Sequence, residues 1–279
     1  MENPTPNLSQ PLVSCLCVTR NKPERLKRAI DCFLAQTYPN KELLIVYEDD
    51  DINTIKFLEG YDDEALYGSM AMMEIAANPK STLGELRNIS MADCNGEYFC
   101  QWDDDDWYHA DRLTISMNAI QSNLQDASIL TNWLIFDDVK KQAYLSKFRL
   151  WEGSIFCKKS VINEKVCYPP LPRMEDSFFI NFLLQACKVY PLTAPYLYIY
   201  TFHGNNTWPS SHFENLFSTS HPLSEGASKL IGDILSGKYS VAEGSARLQT
   251  DEFLNELNYL RLSKVNLTNE ALLKWLNAK

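Results

Sequence analysis

The chain of 279 residues lacks any excess of positive charge: 26 lysines and arginines stand against 36 aspartates and glutamates, a net charge of −10. Binding to nucleic acid normally demands a basic stripe, so this balance argues against a nucleic-acid partner. Long apolar runs are also missing, and no stretch approaches the ~20 residues needed to cross a bilayer. The opening residues, Met1 to Pro11, are polar and proline-containing, without the basic and apolar regions of a secretory leader. A cytoplasmic protein is therefore expected, and the sequons at Asn7, Asn88, Asn205 and Asn266 are read as chance matches. The eight cysteines form no C-x-x-C pair and several sit in apolar runs, so reduced core thiols are expected rather than disulfides or a zinc site. Glycine is sparse, ten residues in all, and none falls in Thr19-Arg20-Asn21-Lys22-Pro23, where a glycine-rich phosphate loop would follow the first strand.

What is present describes an ordinary globular core, with 45% hydrophobic and 22% charged residues. The length suits one large domain, or one domain with an appendage. Leu12 to Val18 reads as a buried strand, and Pro23 then suits the first turn of a helix with Leu26, Ala29, Ile30, Phe33 and Leu34 on one face. Strands follow at Glu42–Tyr47 and Met70–Ile75, a helix at Thr82–Ala92, and a strand at Tyr98–Trp102. A further helix presents Leu113, Met117, Ile120 and Leu124. This alternation predicts an α/β fold with a mainly parallel central sheet flanked by helices. Ser128–Phe136 reads as one strand, Tyr144–Trp151 as a pairing segment, Asp176–Cys187 as a helix and Tyr196–Phe202 as an aromatic strand. From His212 onward the chain reads as helix and connector, with Phe253, Leu254, Leu257 and Leu260 forming an apolar stripe. The expected division is a sheet domain over 1–210 and a C-terminal helical appendage over 211–279, packed on it.

The densest chemical signal is Asp103-Asp104-Asp105-Asp106, set between the apolar strand and Trp107-Tyr108. Four like charges this close repel unless water or a cation neutralises them. The carboxyl ends of strands in open α/β sheets are where ligands bind, so a hard divalent cation holding a phosphorylated substrate is the first expectation. In an extended segment Asp103 and Asp105 would face one way and Asp104 and Asp106 the other, with Asp106 helping to start the next helix. A solvated acidic loop is the competing reading. Three further candidates are weaker alone. Glu175-Asp176 opens an apolar helix, where a carboxylate is either a general base or an ordinary N-terminal helix charge. His203 ends the aromatic strand, as a metal ligand or a structural histidine. Arg87 either steadies a diphosphate or lies on a solvated helix face.

Taken in order, these segments resemble the family-2 inverting glycosyltransferases with the GT-A (Rossmann-like) fold. Pro11 to Asn21 is similar to that family's opening strand and its T-x-N exit, and Ala35 to Val46 to its Q-T-Y-x-x-x-E-L-I-I-V passage. Gly84-Glu85-Leu86-Arg87-Asn88 resembles G-x-x-R-N, and Asn95-Gly96-Glu97-Tyr98 leading to Asp103–Trp107 resembles G-E-Y-…-D-x-D-D-W. Glu175-Asp176 matches the downstream E-D, and His203 a histidine that follows an aromatic strand. The resemblance spans about residues 11 to 207. It implies that Thr19, Asn21, Glu48 and Asp49 line the nucleotide base and ribose, with Arg87 near the diphosphate. Asp103 and Asp104 would hold ribose or sugar hydroxyls, and Asp105 with His203 would hold Mn2+ or Mg2+. Asp176 would be the base that deprotonates an acceptor hydroxyl. The implied reaction moves a sugar from a nucleoside-diphosphate sugar, UDP-linked in the first instance, to a saccharide or glycolipid acceptor with inversion.

Two positions depart from the family's pattern. Tyr47-Glu48-Asp49-Asp50-Asp51 stands where V-D-D-G-S is common, and Arg20 stands between Thr19 and Asn21 where an aromatic residue is common. Arg20 would reach a phosphate or charged sugar, or point to solvent. On the acceptor side, Trp151-Glu152-Gly153-Ser154, Trp208 and His212–His221 are candidates for sugar stacking or a lid. Leu272, Leu273 and Trp275, near the end of the tail, would dock on the catalytic domain, on a partner chain or peripherally on the inner face of a membrane. Two other classes remain open: a sugar-phosphate nucleotidyltransferase, disfavoured by the missing glycine loop, and a non-catalytic cation- or carbohydrate-binding module, which has no need of Arg87, Asp176 and His203 in order.

Overall fold

A computed structural model describes residues 10–61, 68–204, 206 and 210–264. Trp208, Asn205, Asn7 and Asn266, together with Leu272, Leu273 and Trp275, lie outside the described residues. The first half alternates as expected: β1 (Val13–Val18), α1 (Pro23–Leu34), β2 (Lys41–Glu48), α2 (Ile52–Glu59), β3 (Met70–Ile75), α3 (Leu83–Asp93) and β4 (Tyr98–Gln101). Next come β5 (Trp107–Tyr108), α4 (Arg112–Asn123), β6 (Ala127–Leu130), β7 (Leu134–Asp137), β8 (Gln142–Leu145) and β9 (Phe156–Lys158). The remainder comprises α5 (Glu175–Ala186), β10 (Val189–Leu192), β11 (Tyr198–Phe202), α6 (Ser210–Thr219), β12 (His221–Pro222), α7 (Glu225–Leu235), α8 (Val241–Leu248) and α9 (Asp251–Lys264).

Seven strands form the main sheet in the order β10-β6-β9-β4-β1-β2-β3. Only β9 runs antiparallel to its neighbours, β4 and β6. The chain leaves β1 in one direction toward β2 and β3 and returns on its other side as β4. That reversal opens a crevice beyond the carboxyl ends of β1 and β4, the place where open α/β sheets bind ligands. A second sheet, β12-β8-β7-β11-β5, stands beside it. No helix among the described residues is long and apolar enough to cross a membrane.

Local chemistry accounts for these elements. Pro23 starts α1, whose Leu26, Ala29, Ile30 and Phe33 are buried against the sheet. Thr82 and Glu85 close a reciprocal capping box at the head of α3. Gly84 lies so close to the next segment that a Cβ there would sit 2.0 Å from the Pro169 carbonyl oxygen. Asn88 uses both ends of its amide on the Tyr168 backbone, at 2.8 and 2.9 Å. All eight cysteines are free thiols, six of them buried.

Several expectations need correction. The apolar run Ser128–Phe136 is two strands, β6 and β7, that belong to different sheets. Asn132 and Ser146 hydrogen-bond across the break between them, which lets the chain change sheets while its polar groups stay satisfied. Leu124 ends α4 in the left-handed conformation and is 84% exposed, so it is no part of that helix's buried face. The helical C-terminal region also contains β12, which pairs with β8. Helix α2, capped by Asp51, was not anticipated.

Candidate active site

The four aspartates do not extend β4. The strand ends at Gln101, and residues 104–106 turn back into β5, so the alternating-face picture gives way to a turn in which Asp104 and Asp105 share Lys22 while Asp103 and Asp106 take other partners. Asp103 accepts from the Arg87 guanidinium at 3.0 Å and the Gln101 amide at 3.1 Å. Asp104 is buried, accepting from the Thr19 hydroxyl at 2.7 Å and from Lys22 Nζ at 3.1 Å. Asp105 meets Lys22 Nζ at 2.8 Å and His203 Nε2 at 3.4 Å, both through Oδ2. Asp106 is fully buried and does not start α4, whose N-cap is Asp111. It accepts instead from the Tyr198 hydroxyl and the Thr201 N–H of β11, because the tight turn carries it inward.

This division sets the charges. Burial raises Asp104 to about 6, with Asp105 adding to the shift and Lys22 opposing it. Burial works against the charge of Asp105 too, but His203 and Lys22 outweigh it and hold that carboxyl below its ordinary value. Asp106 is pushed well up by burial and by its neighbours Asp105 and Asp103.

Arg87 connects this turn to the downstream acids. Its side chain is 8% exposed, and its guanidinium bridges Asp103 at 3.0 Å and Glu175 at 3.0 Å while lying over the Tyr168 ring. Burial opposes its charge, yet Asp103, Tyr168 and Glu175 overcome this and raise its pKa. Glu175 is buried, and its neighbour Asp176 stays partly exposed in the first turn of α5. One Asp176 oxygen accepts from the Ser177 N–H at 2.7 Å, and the other has no hydrogen-bond partner among the described residues.

At the other end of the crevice, Asn21 adopts a left-handed conformation (φ 56°), with its N–H on Asp51 at 2.7 Å and its side chain against Asn53. Glu48 is buried, and Asp49 accepts from the Ala77 N–H at 2.9 Å. Arg20 keeps 42% of its side chain exposed and pairs with Glu48 and, at 2.9 Å through each of two nitrogens, with Asp50. The two departures from the family pattern thus compensate each other. Arg20, Asn21, Asp50, Asp51, Ile52 and Asn53 line a recess of about 270 Å³.

Two residues escaped the sequence reading. Lys22 sits next to the T-x-N segment, where only the missing glycines drew notice. Arg112, 2% exposed, lies beneath the aspartate turn, 4.4 Å from the Tyr108 ring and donating to the Gln101 and Gly153 carbonyls at 2.9 and 3.2 Å. A buried arginine in an apolar helix face has no periodic signature. The loop it holds is tight, since a Cβ on Gly153 would come within 3.3 Å of Asp103 Oδ2.

Among the described residues no three His, Cys, Asp or Glu side chains converge as a metal cage. Asp105 and His203 nonetheless supply one carboxylate and one imidazole side by side, a donor pair that suits a cation completing its shell with phosphate and water.

Comparison with known proteins adds the family. The model for "Glycosyl transferase family 2" matches residues 14–177, which include every site residue expected from the sequence except His203. An uncharacterised glycosyltransferase of Rickettsia typhi is 25% identical over 142 residues, 50% of this chain and 42% of its own length. Its counterpart in Rickettsia prowazekii is 24% identical over the same extent, so the chain spans well under half of these curated relatives. Among solved structures, S. aureus TarS 1-349 in complex with UDP-GlcNAc superposes with a TM-score of 0.56 at 16% identity, over 95% of this chain and 79% of that one. The mannosyltransferase PcManGT of Pyrobaculum calidifontis, in complex with GDP-Man and Mn2+, gives 0.53 at 14% identity over 97% and 80%. With the sheet order, the crevice and the matched segment in agreement, the chain belongs to glycosyltransferase family 2 and has the GT-A fold.

Proposed function

We propose that the protein transfers a glycosyl group from a nucleoside-diphosphate sugar to a hydroxyl of a saccharide or lipid-linked glycan, in one displacement that inverts the anomeric carbon. The observation that carries this reading is the Arg87 bridge, because it fixes Asp103 at the crevice and Glu175, next to Asp176, on one frame. The recess at Asn21, with Glu48 and Asp49 beside it, is assigned to the base and ribose, and Asp103 and Asp104 to ribose or sugar hydroxyls. The two terminal nitrogens of Arg87 are engaged with carboxylates, so its part toward the diphosphate is assigned as holding Asp103 in place.

Asp176 is assigned as the general base. Its unpartnered oxygen accepts the proton of the acceptor hydroxyl while that oxygen attacks the anomeric carbon opposite the departing nucleoside diphosphate. Partial exposure leaves room for an acceptor. Asp105 and His203 are assigned to Mn2+ or Mg2+, which when bound neutralises charge on the diphosphate. The Mn2+ and GDP-Man of the Pyrobaculum mannosyltransferase and the UDP-GlcNAc of TarS support the donor and cation classes. A lipid-linked acceptor would bring the protein to the inner face of a membrane. The division at residue 210 is proposed as functional, with the donor site before it and the acceptor or docking surface after it.

The test is a panel of UDP- and GDP-sugars assayed for nucleoside diphosphate release with Mn2+, then with chelator. Release from one donor, abolished by chelation and lowered about 10³-fold in Asp176→Asn with unchanged melting temperature, is the expected result. Equal turnover by Asp176→Asn would remove the base assignment.

A further inference from the structure

Asp105 Oδ2 faces His203 Nε2 at 3.4 Å, and the same oxygen is held by Lys22 Nζ at 2.8 Å. The ammonium also reaches Asp104 Oδ1 at 3.1 Å. A positive charge therefore already stands on the carboxylate assigned to the divalent cation. We propose that Lys22 is a built-in competitor of that cation: its ammonium must leave Asp105 before a divalent metal binds there. The inference rests on the assignment of Asp105 and His203 to a metal.

The local backbone says why the lysine points there. Asn21 turns the chain through a left-handed conformation, and Lys22 is the N-cap of α1, fixed in a non-helical conformation ahead of Pro23. Its side chain is thus directed back toward the strand ends rather than along the helix. Lysine is a poor choice for this position on helical grounds. It makes no capping hydrogen bond, and a cation at a helix N-terminus opposes the macrodipole. The compensating interaction is the one with Asp104 and Asp105.

Lys22 is also not needed to hold the turn. The Arg28 guanidinium, two turns along α1, already donates to the Asp105 carbonyl at 2.6 Å, and Thr19 holds Asp104 at 2.7 Å. The lysine side chain is 26% exposed and ends a flexible four-carbon stem, so it has a way out to solvent. A divalent cation on Asp105 would drive it out by repulsion. In the free enzyme the ammonium thus neutralises the acidic turn and weakens metal binding. When a nucleoside diphosphate arrives with the metal, its phosphates offer the displaced ammonium a new anion.

The experiment is Mn2+ titration without nucleotide, read from the electron paramagnetic resonance signal of free Mn2+. Lys22→Met and Lys22→Gln are compared with wild type, with Lys22→Arg and Asp105→Asn as controls and a thermal melt for each. Removing the charge is expected to tighten Mn2+ binding about tenfold in both neutral variants, while Lys22→Arg stays close to wild type. Mn2+ affinity within twofold of wild type in both neutral variants, but lost in Asp105→Asn, overturns the competition and leaves the metal assignment standing. Binding that is absent throughout, or indifferent to Asp105→Asn, overturns both.

Discussion

Consecutive aspartates that look alike in the sequence have become chemically different side chains, and substitutions should tell them apart. Asp106, with its pKa raised by burial and by its acidic neighbours, serves as an acceptor for the Tyr198 hydroxyl and the Thr201 N–H. Asp106→Asn keeps an acceptor at the same place and is expected to stay within about 1 kcal/mol of wild type in urea denaturation. Asp106→Ala orphans two buried donors and is expected to cost about 2–3 kcal/mol. A loss in Asp106→Asn as large as that in Asp106→Ala would mean that a charged carboxylate is required. Arg87 makes a sharper case, because its loss leaves Asp103 and the buried Glu175 without their shared cation. Arg87→Met should destabilise by about 3–5 kcal/mol in the same assay, with Arg87→Lys recovering part of this because one ammonium cannot span both carboxylates as a guanidinium does.

Packed elements carry two further predictions. Helix α3 approaches the segment before α5 through Gly84, which has no room for a side chain beside the Pro169 carbonyl. Gly84→Ala must push α3 and that segment apart, costing about 1–3 kcal/mol by thermal melting and lowering turnover, since the segment leads to Asp176. The second prediction concerns α8. His109 is fully buried between sheet and helix, with Nε2 on the Ser245 carbonyl at 3.1 Å and Nδ1 accepting from the Asp111 N–H at 3.0 Å. Burial lowers its pKa below the ordinary 6.5, with Asp111 and Ser245 opposing this only in part. A lowered folded-state value means that the unfolded chain takes the proton more readily. Its stabilising contribution is therefore full above pH 6.5 and is lost as pH falls below that value. Urea midpoints should drop from pH 7 to 5, and His109→Gln should flatten part of the drop.

The elements also mark what the sequence could disclose. Strands β1, β2, β3 and β4 and helices α1 and α3 were legible because each has a short apolar run or a 3.6-residue stripe with its own proline or cap. The set Thr19, Arg87, Asp103 to Asp106, Asp176 and His203 was legible through the family resemblance, because each lies just past a readable strand or in the first two turns of a helix. The switch from β6 to β7 was not legible, because an apolar run has the same composition whether it stays in one sheet or crosses to another. Nor were the partners of Arg20, Lys22 and Arg112, which lie on residues 28 to 83 positions away or on carbonyls that no side-chain pattern records.

Across the whole molecule one apolar cluster runs from Val13 and Phe33 through Trp102, Trp133 and Phe136 to Phe213, Ile231, Leu248 and Leu257. The proposed division at residue 210 is consequently not a place to cut. A chain ending there would expose Phe136, Leu145 and Trp107 and is expected to lose its cooperative melting transition, measured by calorimetry against the full chain. The cluster has a consequence for synthesis as well. A sheet begun at residue 13 keeps an uncovered face until α9 has been made, so the nascent chain cannot finish its core as it emerges. Ribosome pausing before α9 would prolong that exposure and raise the demand for chaperones, whereas a pause beyond it would not.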